Sequence, residues 1–178
     1  MRVLAGIYKS KKIETINSSD TRPMMSKVRE AIFNSIQFMI EGKDILDLYC
    51  GSGSLGIEAL SRGANYVTFV DFSKECILIL KKNVESMPNN LSIVNSSVNS
   101  FIKNSINKYQ LIFYDPPFEL NTEIVNEEIL IIENILNNHG LLIIHRHKSS
   151  EVINFSKNYE LHREKNYGQS KILILRRI

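Results

Sequence analysis

Short apolar runs alternate with longer amphipathic segments along most of this chain, and no other feature of the sequence constrains the fold as much. The runs predict strands at Ile45–Tyr49, Tyr66–Asp71, Leu91–Asn95, Leu111–Tyr114 and Leu141–His145. The segments between them predict helices near Leu55–Arg62, from Ser73 to about Ser86, and near Val98–Ser105 and Thr122–Leu136. Strands that alternate with helices pair in parallel through right-handed crossovers. The chain therefore predicts an α/β fold, a largely parallel sheet with helices on both faces.

The C-terminal segment departs from this alternation. Tyr159–Lys165 and Lys171–Arg176 both read as strands, and they are joined through Gly168 with no helical segment between them. Two strands connected by a short turn form an antiparallel hairpin. We therefore expect this hairpin to complete the sheet.

A hairpin and a helix are also expected before the alternating part. Arg2–Ala5 and Ile13–Ile16 flank a basic turn, and apolar residues recur at helical spacing from about Ser26 to Ile40. We expect the 178 residues to form one domain. In this division residues 1–40 are a basic hairpin and helix, and residues 41–178 are the core.

Composition excludes several classes of protein. No apolar stretch approaches the length of a membrane span, and the first residues lack the apolar core of a signal peptide, so a cytoplasmic protein without a membrane partner is expected. Cys50 and Cys76 lie far apart without CxxC or Cys/His spacing, which predicts neither a disulfide nor a metal site. A 20.4 kDa chain with no obvious exposed apolar stripe is expected to work as a monomer.

Four residues, Asp115-Pro116-Pro117-Phe118, follow the predicted strand Leu111–Tyr114. The Asp115 carboxylate and the Pro116 carbonyl can accept both N–H bonds of a planar amine, which favours a pyramidal nitrogen with its lone pair aimed at a methyl donor. Each proline fixes its own φ and biases the preceding residue toward extended geometry, so the backbone becomes a stiff ledge. Phe118 offers a face for stacking a base. A plain turn at a strand end explains the same residues without chemistry.

A glycine-rich loop follows the first predicted core strand. Gly51, Gly53 and Gly56 match GxGxxG, and Asp71 ends the next strand, where a ribose diol would be held. These features also describe a dinucleotide site, so a nicotinamide-dependent oxidoreductase stays open. Asp47, just ahead of the loop, would repel a pyrophosphate, whereas S-adenosylmethionine has no phosphate and carries an ammonium and a sulfonium group. The loop therefore favours the methyl donor, although turn chemistry can explain a lone Asp47.

Positive charge is concentrated near the N-terminus. Residues 1–29 contain two acidic side chains, Glu14 and Asp20, and a larger set of basic ones. The basic residues are Arg2, Lys9, Lys11, Lys12, Arg22, Lys27 and Arg29. Such an excess can bind a phosphate backbone, although a solvated face beside an exposed hairpin explains the same cluster.

These motifs resemble those of S-adenosylmethionine-dependent amino methyltransferases with the seven-stranded Rossmann-like fold. A longer series of segments is similar to the bacterial RsmD family. The segments are Thr21-Arg22-Pro23, Val28-Arg29-Glu30-Ala31-Ile32-Phe33-Asn34, Asp47 to Gly56, Glu58-Ala59-Leu60-Ser61-Arg62-Gly63-Ala64 and Gly168-Gln169. Members of that family methylate the exocyclic N2 of one guanine in small-subunit (16S) ribosomal RNA. The resemblance covers nearly the whole chain and implies S-adenosylmethionine as the donor and 16S ribosomal RNA, or the assembling small subunit, as the partner.

The resemblance also implies roles for individual residues. Asp115 and the Pro116 carbonyl would hold the guanine amine, with Pro117 in the ledge and Phe118 stacked on the ring. The implied donor contacts are Asp47, Tyr49, Gly51, Ser52, Gly53, Asp71, Phe72 and Ser97, the last beside adenine. The candidate phosphate contacts come from the excess of positive charge near the N-terminus, and they are Lys9, Lys11, Lys12, Arg22 and Arg29. Alternatively, Arg22 and Arg29 pair with Glu30 or Glu58 and brace the first helix.

The chain departs from the family where the strand Leu141–Ile144 ends, because relatives tend to have a glutamate there and this chain has His145. His145 and His147 lack a carboxylate or cysteine at suitable spacing, so an exposed or capping role is expected for both. Three other functions stay open. The amine could be adenine N6 in DNA or a protein glutamine, because such enzymes share the ledge, or the chain could bind the donor without catalysis.

Overall fold

The computed structural model describes residues 1–16 and 26–178, which contain a seven-stranded sheet with helices on both faces. The strands are β1 (Asp44–Leu48), β2 (Tyr66–Asp71), β3 (Leu91–Asn95), β4 (Tyr109–Tyr114), β5 (Leu136–His147), β6 (Tyr159–Tyr167) and β7 (Ser170–Arg177). The helices are α1 (Ser26–Ser35), α2 (Ser54–Ser61), α3 (Lys74–Val84), α4 (Val98–Asn104) and α5 (Thr122–Ile132). The strand order is β3-β2-β1-β4-β5-β7-β6. β1 to β5 pair in parallel and β7 is antiparallel to both neighbours, so the predicted α/β, Rossmann-like fold with its C-terminal hairpin is confirmed.

The strand β5 begins well before its predicted start at Leu141. Leu136 pairs with Tyr109 of β4, and the register then shifts before Leu111 pairs with Leu141. Leu136 is the predicted last residue of α5, because its apolar spacing from Ile132 fits a helix as well as a strand. Pairing with β4 decides in favour of the strand.

The helix α1 ends at Ser35, although its predicted end was Ile40. Ile36 and Ile40 are nevertheless fully buried, so their helical spacing reflects contact with the core. Periodicity reports which side chains are buried, and a short turn can bury the same side as a helix.

Alternate residues of the central strands enter two different apolar layers. On β4, Leu111 and Phe113 pack in the layer that contains α1 and α2, while Ile112 and Tyr114 pack in the layer that contains α5. Successive side chains of a strand point to opposite faces, so a sheet covered on both sides needs a continuous apolar run. This burial explains why the core strands contain so few polar residues.

The N-terminal hairpin lies against α2. Arg2 and Lys12 form an antiparallel bridge, so the second arm begins near Lys11 and not at Ile13 as predicted. The Glu58 carboxylate accepts the backbone N–H of Leu4 at 2.7 Å and that of the following residue at 3.0 Å. A buried carboxylate of α2 therefore attaches the hairpin to the core.

Arg29 is fully buried, which is incompatible with a phosphate contact and makes that expectation wrong. Its guanidinium donates to the Met1 sulfur at 3.0 Å and to the Arg2 carbonyl. It therefore connects α1 to the first arm of the hairpin, while Arg62 takes the ion pair with Glu58. The other expected arginine, Arg22, lies outside the described residues.

No helix in residues 1–16 and 26–178 is long and apolar enough to cross a membrane. Cys50 and Cys76 are both buried and both free.

Candidate active site

A cavity of about 920 Å³ opens where β1, β2, β4 and β5 end. β1 and β4 are neighbours in the sheet, but the chain proceeds from them toward opposite edges, so the cavity lies at the topological switch point. Ligands of open parallel sheets bind at such points. The sequence-predicted residues that line the cavity are Tyr49, Gly51, Ser52, Asp71, Phe72, Asp115, Pro116, Pro117 and Phe118.

Asp71 organises one end of the cavity. Its Oδ2 accepts the Gly51 N–H at 2.8 Å and its Oδ1 accepts the Ser73 N–H at 2.9 Å. An ionised carboxylate offers about four acceptor positions. Asp71 can therefore hold the loop after β1 in place and still accept hydrogen bonds from two hydroxyl groups of a ligand.

Tyr49, Tyr114 and Glu128 form a buried hydrogen-bonded cluster beside this loop. The Tyr49 and Tyr114 hydroxyls donate to the Glu128 Oε2 at 2.9 and 2.7 Å. Burial and the neighbouring Glu128 raise the pKa of both phenols, and burial also raises the pKa of Glu128. The cluster holds Tyr49, which has a positive φ of 57°, against the middle of α5.

Sequence reasoning missed Glu128, although a signal was present. Glu128 lies on α5 between Val125 and Ile132 at the spacing of the buried face, and it is 1% exposed. A carboxylate at a core position of a helix requires partners, because an unpaired buried charge is strongly unfavourable. That spacing could have identified Glu128 as part of a polar cluster.

Three expected donor contacts lie outside the lining of the cavity. Asp47 is 1% exposed, and its Oδ2 accepts the Gly56 N–H at 2.8 Å, so it anchors the first turn of α2. Gly53 is buried behind the loop, where an added Cβ would lie 2.3 Å from a Leu80 methyl carbon. Ser97 caps α4 by accepting the N–H of Ser100 at 3.3 Å. For these three the structure shows a role in shaping the fold around the cavity.

We expect the titration of Asp47 to make the stability of the free protein depend on pH. Burial, and next the charges of Asp115 and Asp71, raise its pKa from the ordinary 3.8 to about 8. Between these values the folded state holds one more proton than the unfolded state. Stability therefore falls as pH rises through this window, by up to about 1.4 kcal/mol per pH unit. Urea unfolding between pH 5 and 8 should show a shallower decline for Asp47→Asn, and parallel curves would contradict the assignment.

Arg146 holds the loop that carries the proline ledge. Its Nη1 donates to the Pro117 carbonyl at 3.1 Å and its Nη2 to the Leu120 carbonyl at 2.8 Å, and the side chain is almost fully buried. A guanidinium presents its donors in a rigid fork, so two bound carbonyls fix the loop in one orientation. Arg146 donates to the Pro117 carbonyl, so it holds the ledge without occupying the Pro116 carbonyl that is expected to accept from the amine.

His145 is buried, and the expectation that it is exposed or a cap without a carboxylate partner is wrong. Its Nδ1 lies 2.7 Å from the Asp115 Oδ1, and its Nε2 lies 2.8 Å from the Ser170 Oγ. Asp115 directly follows β4 and Ser170 begins β7, so sequence spacing along the chain could not indicate these partners. His147 is half-buried and accepts the Ser149 N–H at 3.2 Å, in agreement with the expected capping role.

The ring of Phe118 packs edge-on against both imidazoles, with centroids 5.2 Å from His145 and 5.5 Å from His147. The electrostatic environment of the cavity is negative, because the carboxylates of Asp71 and Asp115 line it. Within the described parts of the chain, no group of three or more His, Cys, Asp or Glu side chains could hold a metal ion.

Comparison with known proteins identifies the family. The model of the family described as Conserved hypothetical protein 95 matches residues 1–176. Ribosomal RNA small subunit methyltransferase D of Haemophilus influenzae is 33% identical over 173 residues, which cover 94% of this chain and 89% of that protein. The protein of the same name from Escherichia coli K12 is 31% identical and covers 95% of this chain and 86% of its own length.

Solved structures share the fold. The yhhF protein of Escherichia coli, a proposed methyltransferase, superposes with a TM-score of 0.89 at 29% identity and covers 99% of this chain and 97% of its own. SMU.776, a proposed methyltransferase complexed with S-adenosylhomocysteine, has a TM-score of 0.72 at 18% identity and covers 84% of this chain and 48% of its own. The chain belongs to the Conserved hypothetical protein 95 family, the RsmD family, which confirms the resemblance found in its motifs.

Proposed function

We propose that this protein transfers a methyl group from S-adenosylmethionine to the exocyclic N2 amine of a guanine in small-subunit ribosomal RNA. One observation carries the proposal: the carboxylate of Asp115 and the proline ledge open into the same cavity as Asp71 and the glycine loop. An amine acceptor and a donor-binding loop therefore face one space. The relatives named ribosomal RNA small subunit methyltransferase D support the choice of substrate.

The residues around the cavity fit the proposed donor. Asp71 retains acceptor capacity for a ribose diol, and the carboxylates of Asp71 and Asp115 favour a cationic ligand over a pyrophosphate. The S-adenosylhomocysteine bound to SMU.776, which has the same fold, adds support. When bound, S-adenosylmethionine supplies an electrophilic methyl group: the N–C bond forms as the C–S bond breaks, its electron pair stays on sulfur, and the nitrogen releases one proton.

The chain's own contribution is to hold the amine and to stabilise the charge that it acquires. Asp115 and the Pro116 carbonyl accept its two N–H bonds and orient its lone pair. The negative carboxylate also stabilises the positive charge that develops on nitrogen. Phe118 packs against His145 and His147, and the face of its ring is the surface on which the base stacks.

Methyl incorporation tests this function directly. Small ribosomal subunits, and naked 16S ribosomal RNA, from cells that lack the enzyme are incubated with labelled S-adenosylmethionine, and the modified nucleotide is then mapped. We expect label at N2 of one guanine. DNA and protein substrates run in parallel test the adenine N6 and glutamine alternatives, and label in either but not in ribosomal RNA would refute the substrate that we propose.

We propose that the N-terminal hairpin contacts the RNA backbone through Lys9 and Lys12, which are both exposed. Lys11 is half-buried and donates to the Ser86 hydroxyl at 2.7 Å, so its ammonium also fastens the hairpin to the segment after α3. The logarithm of the RNA-binding constant falls linearly with the logarithm of the salt concentration, and each lysine that contacts a phosphate adds about one unit to the magnitude of that slope.

Reversing the charge of both exposed lysines is expected to weaken RNA binding and to lower that slope by about two units. Filter binding of Lys9→Glu/Lys12→Glu at several salt concentrations measures both quantities. Lys157→Glu/Lys165→Glu, an equal charge change at exposed positions beside and on the edge strand β6, is the matched control. An equal loss of slope in both double variants would show that only net charge matters.

A further inference from the structure

We propose that His145 is a positioning residue for methyl transfer, which donates a hydrogen bond to Asp115 and thereby fixes the oxygen that receives the amine. The inference rests on the proposed function and extends it to a residue outside the ledge. His145 is 6% exposed, and the only carboxylate that it contacts in the described residues belongs to Asp115.

The hydrogen bonds around His145 determine which nitrogen carries the proton. The Asp115 carboxylate can only accept, so the nitrogen 2.7 Å from it, Nδ1, carries the proton. The neutral imidazole then has Nε2 as an acceptor, and the Ser170 hydroxyl at 2.8 Å can donate to it. Both nitrogens of a neutral imidazole therefore have hydrogen-bond partners in this buried position.

A neutral donor suits this position better than a cation. The bond engages Oδ1 and leaves Oδ2 available, while the Asp115 side chain stays 27% exposed at the cavity. A lysine or arginine in place of His145 would cancel the negative charge that must stabilise the developing cation. A neutral imidazole restricts the rotation of the carboxylate and leaves its charge intact.

Two neighbours support a positioning role over a purely structural one. Ser170 is 5% exposed, so β7 holds the imidazole from behind, and Phe118 packs against its edge from the cavity side. His145 therefore connects the group proposed to hold the amine, Asp115, with the ring proposed to stack on the base. Movement of His145 would displace both.

The test separates the hydrogen bond from packing by comparing three variants at saturating RNA and donor. His145→Leu keeps bulk and removes the donor, and we expect kcat to fall by about 10- to 100-fold, the effect of losing a hydrogen bond to a charged group. His145→Asn places an amide N–H near the Nδ1 position and should recover most of that loss. His147→Leu removes the other imidazole that contacts Phe118 and should act mainly on KM for RNA.

Binding of S-adenosylhomocysteine should change little in each variant, and a cooperative thermal unfolding transition confirms that each is folded. His145→Leu should unfold at a lower temperature, because the buried Ser170 hydroxyl loses its partner. A second readout needs no turnover. The proton NMR spectrum of the free protein should contain a downfield imidazole N–H signal, protected by burial, that disappears in His145→Leu, shifts in Asp115→Ala and persists in His147→Leu. A signal insensitive to Asp115→Ala overturns the inference.

The outcomes distinguish the two proposals. If the unmodified protein does not methylate ribosomal RNA, the proposed function fails, and the catalytic role of His145 fails with it. If it methylates the RNA and His145→Leu turns over as fast, or His147→Leu loses as much kcat, only the inference about His145 is overturned.

Discussion

Replacing Asp115 with asparagine is expected to lower kcat by about 100- to 1,000-fold while the affinity for the donor changes only a few fold. His145 donates to Oδ1, so the asparagine oxygen should occupy that position and its NH₂ group should face the amine. The N–H groups of the asparagine amide then face the N–H groups of the guanine amine, so no hydrogen bond forms between them. The negative charge that stabilises the methylated nitrogen is also absent. Single-turnover methylation with saturating RNA measures the chemical step, and titration calorimetry with S-adenosylhomocysteine measures donor binding.

The control for this variant is Glu123→Gln, which neutralises an exposed carboxylate in the first turn of α5. This variant removes one negative charge a few residues after the proline ledge, and it should leave turnover unchanged. Unchanged turnover in Asp115→Asn, or a loss that calorimetry traces entirely to donor binding, would eliminate Asp115 as the group that holds the amine.

Replacing Asp71 with asparagine is expected to weaken binding of S-adenosylhomocysteine by about 100-fold. The two Asp71 oxygens accept the N–H groups of Gly51 and Ser73, and asparagine has only one oxygen. One backbone N–H would then face an NH₂ group, and a ligand hydroxyl would lose its charged acceptor. Hydrogen bonds to charged groups contribute about 1.5–3 kcal/mol each, so the combined loss reaches this size.

The matched control is Asp44→Asn at the N-terminal end of β1, whereas the cavity lies at the C-terminal ends of the strands. Asp44 accepts a hydrogen bond from Asn65 at 2.6 Å, so, like Asp71, it is a hydrogen-bonded carboxylate on the terminal residue of a core strand. We expect donor affinity to stay at the level of the unmodified protein. Calorimetry with NADH in parallel tests the oxidoreductase alternative, and tight NADH binding with no binding of S-adenosylhomocysteine would reverse the proposed choice of ligand.

Much of the fold could be predicted from local patterns. β2 and β3 have the bounds that their apolar runs predicted, and Ser73 caps α3 as expected. Errors arose where one pattern fits two structures. Leu136 continues the helical spacing of α5 but belongs to β5, because backbone pairing with Tyr109 satisfies its polar groups.

The candidate site divides along the same line. The ledge and the loop around Gly51 are each a short, uninterrupted stretch of sequence. The structure places both stretches at the cavity. The positions of Asp47 and Arg29 differ from expectation because charge alone does not report exposure. Asp47 is enclosed by the turn that it anchors, and Arg29 is enclosed between α1 and the first arm of the hairpin.

The sequence by itself determined the α/β class, the family, and the two segments whose residues meet at the cavity. These properties depend on hydrophobic periodicity and on short motifs, both of which can be recognised within about ten consecutive residues. Only the tertiary structure decided that His145 contacts Asp115, that Glu128 joins Tyr49, and that Arg146 holds the ledge. Those contacts join residues far apart in the chain, and strand order and side-chain packing bring them within hydrogen-bond distance.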